Sequence, residues 1–247
     1  MKKIHNKILL TLFVVLIIEF APRLGTYFSD IISPHLKFLD PDNVYIWGMV
    51  HHIIQALIPF LIIVFWRNKP LKEWGFQVGD YQKGLKWVAG FTLIWLLVYA
   101  ILTVVNIYQA KIPQVYYDVS LTRNLLGELF FRGIIVGPSE EILFRSFPII
   151  ILIFAGWSKK STIFGFTIPR AGIISAILFA YAHIGYNHYP FEVYRFDPFQ
   201  IFTSLGFGLL YAIVFEHTRS ILYPMIIHSI SDVFPVLSLY IIHIALN

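Results

Sequence analysis

Long apolar runs, and not alternation, organise this chain. They fall at 8–22, 44–66, 87–108, 125–157, 171–184, 199–215 and from 220 onward, with short polar segments between them. A helix of about 20 residues at 1.5 Å each crosses a 30 Å hydrocarbon core, so runs of this length predict transmembrane helices. Sustained apolar/polar alternation, the mark of a membrane barrel, is missing. The fourth run is too long for one span, because a 33-residue helix measures about 50 Å. Gly137-Pro138 interrupts it and predicts a short amphipathic helix, a break, and then the span proper. Pro235 predicts a second division, in the last run. The fold class is therefore all-α: a polytopic membrane bundle of seven to eight helices. It reads as one integral membrane domain, 1–247, without internal repeat or low-complexity tract.

The first run follows Lys2, Lys3 and Lys7, as a signal peptide would. The stretch Glu19-Phe20-Ala21-Pro22-Arg23 offers no small-x-small cleavage site, so a retained first helix is expected.

Composition supports the bundle. Apolar residues make up 57% and charged residues 13%, against 45–50% and about 25% in soluble domains. The absence of cysteine removes thiol nucleophiles, thiolate ligands and disulfides. The net charge of +5 does not indicate nucleic-acid binding, because no basic cluster with interleaved aromatics lies on a polar stretch. Its placement is more informative. On a seven-span count, the N-terminal stretch, 67–86, 159–170 and Arg219 together hold twelve Lys and Arg. The opposite loops hold five: Arg23, Lys37, Lys111, Arg123 and Arg195. Basic residues stay on the cytoplasmic side, so the N-terminus is predicted cytoplasmic and the Tyr- and Phe-rich segment 186–199 outward-facing. Trp66, Trp87 and Trp157 fall at predicted inner span ends, as an interfacial belt requires.

Ionisable residues inside the runs are the candidate chemistry. Each costs about 2.5–3.5 kcal/mol at the bilayer centre on insertion scales, so Glu140, Glu141, Arg145 and Asp232 must be paired or solvated. Glu141 and Arg145 are four apart and share a helix face. Glu140 points about 100° away and has no partner in that register. Alternatively, both carboxylates share Arg145 as a structural cluster. His183 closes the apolar run that contains Phe179; a lone His in such a run is more often a hydrogen-bonded core residue. His228 and Asp232 are four apart, so the carboxylate can fix the imidazole tautomer, whether as a structural pair or as a site.

A carboxylate beside a histidine can activate water, and a second histidine can stabilise an oxyanion, which together suit peptide hydrolysis. Zinc hydrolysis is the rival, with His183, His228 and Glu140 as alternative ligands. His-Glu-x-x-His and Gly-x-Ser-x-Gly are both absent. Gly206-Phe207-Gly208 lacks the adjacent Asp of an intramembrane aspartyl protease and reads as a close-packing site.

Together these residues resemble the CPBP (Abi) family of CAAX prenyl proteases and bacteriocin-processing enzymes. Glu140-Glu141-x-x-x-Arg145, with Phe144 before the Arg, matches the first motif. Phe179-x-x-x-His183 matches the second and His228-x-x-x-Asp232 the third. The likeness covers about 125–235, the motif-bearing core; the first three spans match only in hydropathy. The resemblance implies an eight-helix intramembrane endopeptidase; no cofactor is expected, with zinc as the alternative. It implies Glu140 as the base, assisted by His183 and supported by Glu141 and Arg145. It implies His228 with Asp232 as the oxyanion site, although Asp232 departs from members that carry Asn, whose amide can donate. The implied partners are the lipid bilayer and a membrane-associated or lipidated peptide. A non-catalytic protein of the same fold, acting in bacteriocin immunity or as a scaffold, and a carboxylate-dependent transporter are the alternatives.

Overall fold

The computed structural model describes residues 2–66, 69–163, 165–188 and 191–247, with the side chains of 2–5 and 188 outside the description. Of the basic residues in the orientation count, Arg67 and the side chains of Lys2 and Lys3 lie outside it.

The chain is helical except for two short antiparallel hairpins. We label the helices α1 (Lys2–Ile32), α2 (Ile46–Phe65), α3 (Tyr81–Tyr108), α4 (122–157), α5 (Arg170–Tyr181), α6 (Pro198–Thr218) and α7 (Leu222–Leu246). The hairpins are β1 (Lys160–Ile163) with β2 (Phe166–Pro169), and β3 (Gly185–His188) with β4 (Phe191–Arg195). Among the described residues, α1, α2, α3, α6 and α7 are long and apolar enough to cross a membrane. On α3, Leu93, Ile94, Leu97, Ile101 and Val104 lie exposed in a row. Water does not tolerate such a surface, whereas lipid does.

Three boundaries differ from the sequence expectation. The break at Gly137-Pro138 does not occur: both residues stand inside one helical run from Thr122 to Trp157. In that run, α-helical stretches alternate with π-helical ones at Phe131–Val136, Ile142–Ser146 and Ile153–Trp157. Pro138 and Pro148 each follow a π-helical stretch. A proline inside a regular helix clashes with the carbonyl four residues back; a wider turn just before it relieves that clash. Nor does Pro235 divide the last run, since α7 continues through it. The fifth element is shorter than 171–184, because α5 ends at Tyr181 and leaves His183 in the following turn.

Two glycines set helix separations. A Cβ at Gly137 would lie 2.6 Å from Ser229 Oγ and 2.7 Å from the Met225 carbonyl, so α4 meets α7 closely beside the double Glu. Gly208 lies against Ala176 of α5, as the close-packing expectation requires, whereas Gly206 has open space before it.

The ends of the bundle are distinct. At one, the Lys7 ammonium sits 3.7 Å over the Trp157 ring, Ser146 Oγ donates to the Trp74 carbonyl at 2.7 Å, and Lys160 pairs with Glu216 at 3.1 Å. At the other, Trp47 Nε1 donates to Asp30 at 2.8 Å and Arg123 pairs with Asp42 at 2.9 Å.

The start of α2 depends on a single side chain. Buried Asp40 accepts from the backbone N–H groups of Val44, Tyr45 and Ile46 at 2.9, 2.7 and 2.8 Å. These donors have no partner within the helix. Asp40→Ala should therefore lower stability by about 1–2 kcal/mol, with Asp40→Asn intermediate, as read from the unfolding midpoint in detergent. An unchanged midpoint in Asp40→Ala would refute the capping role.

Candidate active site

The double Glu lies on α4 between Pro138 and Pro148, where α4 passes both α2 and α7. Glu141 and Arg145 are fully buried, with Arg145 Nε 3.2 Å from Glu141 Oε2. The guanidinium is also held between aromatic faces: its carbon is 4.3 Å from the Phe179 ring centre and 5.0 Å from that of Tyr211. Cation–π attraction is strongest where water is excluded, as it is here. Phe179 of the second motif therefore contacts the Arg of the first.

The other oxygen of Glu141 meets the third motif. Glu141 Oε1 is 2.8 Å from His228 Nδ1. A carboxylate here accepts, so Nδ1–H is the donor and the imidazole is fixed by Glu141. The ring also stacks on Tyr211 at 4.9 Å. Asp232, predicted from its spacing as the partner, stands 3.9 Å from His228 Nε2, beyond hydrogen-bond distance. The buried chain is thus Arg145–Glu141–His228, across α4 and α7.

Glu140 points elsewhere. Its Oε2 is 3.6 Å from His228 Nε2, and its Oε1 is 3.8 Å from His52 Nδ1. It opens into a cavity of about 800 Å³ that His183 also lines. His183 sits in the turn after α5, its Nδ1 2.8 Å from the Phe179 carbonyl. A carbonyl only accepts, so Nδ1 carries the proton and Nε2 is the acceptor of the neutral ring. The ring meets Phe179 edge-on at 4.8 Å. Glu140, His183, His228 and Asp232, with Glu141, Arg145 and Phe179 behind them, thus come from α4, α5 and its turn, and α7. Among the described residues no group of three or more His, Asp or Glu is arranged to hold a metal ion.

Sequence reasoning missed α2. His52 Nδ1 is 2.8 Å from Gln55 Nε2 and 2.9 Å from Ser139 Oγ, and Gln55 donates to Ser139 at 3.2 Å. Ser139 Oγ donates on to the Val136 carbonyl at 3.1 Å. The signal was present, since His51-His52-x-x-Gln55 is a polar cluster inside an apolar run.

The buried pair makes a direct prediction. Arg145→Ala leaves the Glu141 carboxylate without its cation in a dry interior, a change that typically costs about 3–5 kcal/mol. We expect a large loss of folded, monodisperse protein in detergent. A yield and unfolding midpoint equal to the unmutated chain would show that the pair is not structural.

Residues 121–234 match the model of a family described as type II CAAX prenyl endopeptidase Rce1-like. The chain is also 27% identical over 155 residues to the UPF0177 protein YxdF of Lactococcus lactis subsp. lactis (strain IL1403), covering 58% of this chain and 76% of that protein. No solved structure matches. The matched segment contains all three motifs and the whole Arg145–Glu141–His228 chain. Over residues 121–234 this multi-pass membrane chain is thus similar to the Rce1-like family of membrane endopeptidases.

Proposed function

We propose that the protein is an intramembrane endopeptidase that hydrolyses a peptide bond of a membrane-associated or lipidated peptide with water activated by Glu140. The observation that carries this reading is the division of labour within the double Glu. Glu141 is committed to Arg145 and His228, whereas Glu140 faces a cavity with imidazoles beside it.

In this reaction the Glu140 carboxylate takes a proton from water as its oxygen attacks the peptide carbonyl carbon. His183 Nε2 accepts the second water hydrogen and orients the attack. The carbonyl π electrons move onto oxygen, and His228 Nε2–H donates to the oxyanion. Glu141 accepts from the opposite ring nitrogen, so the donating form is the imidazolium, with the Asp232 carboxylate 3.9 Å from Nε2. When the C–N bond breaks, Glu140 returns the proton to the departing amine. The oxyanion collapses to a carboxylic acid, and no cofactor is consumed. The basic ends of the bundle lie in the cytoplasm, with the N-terminus among them.

Replacing Glu140 by Gln keeps size and polarity but removes the base. Cleavage should fall by at least about 10²-fold, the typical contribution of a positioned base, while the unfolding midpoint stays close to that of the unmutated chain. Mass spectrometry of membrane peptides from cells expressing either form reads the first; thermal unfolding in detergent reads the second. Identical peptide profiles would overturn the peptidase reading in favour of a non-catalytic membrane protein. Chelation of the purified active protein should leave its rate unchanged. Activity lost to a chelator and restored by zinc would replace the glutamate mechanism by a metal-dependent one.

A further inference from the structure

We propose that His52 and Gln55 of α2 are positioning residues for Glu140: they hold Ser139, the residue before it, and together with His228 they fix where the Glu140 carboxylate stands. That this carboxylate acts as a base rests on the peptidase reading; that α2 holds it in place does not.

The need for a holder follows from the local helix. Pro138 has no N–H to give, and π-helical stretches at Phe131–Val136 and Ile142–Ser146 flank Gly137–Glu141. The regular hydrogen-bond ladder is thus interrupted on both sides of the double Glu, and α4 alone does not set its position. Two contacts do so instead. On one side, Gly137 brings the α4 backbone against α7 at Met225. On the other, Ser139 meets α2.

The Ser139 contact is a buried polar cluster. Its hydroxyl donates to the Val136 carbonyl at 3.1 Å. Its oxygen accepts from Gln55 Nε2 at 3.2 Å, and His52 Nδ1 lies 2.9 Å from it. Gln55 Nε2 is also 2.8 Å from His52 Nδ1. Ser139 and Gln55 are buried, and Phe131 meets the His52 ring edge-on at 5.4 Å. Simple adhesion of α2 to α4 does not call for these groups, because apolar side chains of the same shape would pack as well at no desolvation cost. What the polar set adds is its reach to the neighbouring carboxylate.

His52 Nδ1 is 3.8 Å from Glu140 Oε1, while His228 Nε2 is 3.6 Å from Oε2. Both separations exceed hydrogen-bond range yet leave the groups in contact. The carboxylate is therefore confined between a ring on α2 and a ring on α7, without a lone pair committed to either. A base needs this combination of a fixed place and oxygens free to take a proton from water. A misplacement of about 1 Å can cost about 10²-fold in rate, so a holder outside the motifs can matter to the chemistry. The whole of α2 lies outside the segment 121–234 that matches the family model, and the motif-bearing part of the chain does not contain this holder.

The test uses the full chain in detergent with isotope-labelled glutamate carboxyl carbons. The Glu140 resonance is assigned by its loss in Glu140→Gln. His52→Leu removes the imidazole, Gln55→Met removes the amide with little change of shape, and His52→Asn keeps a nitrogen near the place of Nδ1. We expect the Glu140 resonance to shift or broaden in His52→Leu and Gln55→Met and to return in His52→Asn. Turnover is read on a synthetic copy of a membrane peptide that cells release with the unmutated chain and not with Glu140→Gln. In His52→Leu and Gln55→Met kcat should fall at least about tenfold with KM changed less than about twofold, and His52→Asn should recover most of the loss. The double variant should lose no more than the worse single one, because the two residues act as a unit. A merely structural role would lower the yield of folded protein and leave kcat per folded molecule unchanged, which would overturn the proposal. An unmoved Glu140 resonance in folded His52→Leu would overturn it as well. If His52→Leu does not fold, Gln55→Met decides both measurements. If no peptide depends on Glu140, the peptidase reading fails, and the resonance alone decides whether α2 holds the carboxylate.

Discussion

A guanidinium with no exposed surface, inside a bundle of apolar helices, is the constraint on which the site depends. Arg145 cannot remain charged there without an opposite charge and polarizable neighbours. Glu141 supplies the first, one helical turn away, and the rings of Phe179 and Tyr211 supply the second. Because Tyr211 lies on α6 and Phe179 on α5, one buried cation draws three helices to a point. Glu141 then uses its second oxygen on His228 and adds α7. Replacing the ion pair by apolar residues of similar volume need not lower stability, as a general rule for such pairs. What it would remove is the fixed position of His228, so the pair serves geometry more than it serves stability.

That commitment explains the paired carboxylates. Adjacent residues on a helix diverge by about 100°, so one carboxylate can be locked in the interior while its neighbour faces a cavity. The π-helical stretches on either side refine this arrangement. They admit Pro138 and Pro148 without ending the helix, and they bracket Glu140 and Glu141 between two local changes of pitch. π-helical turns commonly occur at functional positions for this reason: they aim side chains that a regular helix would point elsewhere.

The three motifs were legible because charge inside an apolar run is expensive and therefore conspicuous. The spans were legible for the complementary reason. Three things were not. Proline and glycine in sequence predict a break, but the wider turn that removes the clash leaves no pattern of its own. The Asp232 partnership follows from i,i+4 spacing, yet tertiary packing delivers Glu141 to His228 across 87 positions at shorter distance. Finally, His52 and Gln55 lie in a span that hydropathy explains adequately, so their polarity drew no attention. Only the approach of α2 to α4 shows that His52 faces Glu140.

His183 shows how access and chemistry are joined. A helix of 12 residues is about 18 Å long, too short for the hydrocarbon core, so α5 stops within it. Its last carbonyls need donors. Ala182 N–H, His183 N–H and Ile184 N–H donate to Leu178, Ala180 and Tyr181, and the His183 ring donates to Phe179. Irregular backbone at membrane depth is tolerated only where protein or a water-filled space surrounds it. The cavity meets that condition, and the same turn puts an imidazole on its floor. The histidine is thus both a cap for the interrupted helix and a group presented to water. A structural role and a chemical one are not alternatives at this position: the hydrogen bond that satisfies Phe179 is also what leaves Nε2 free to accept.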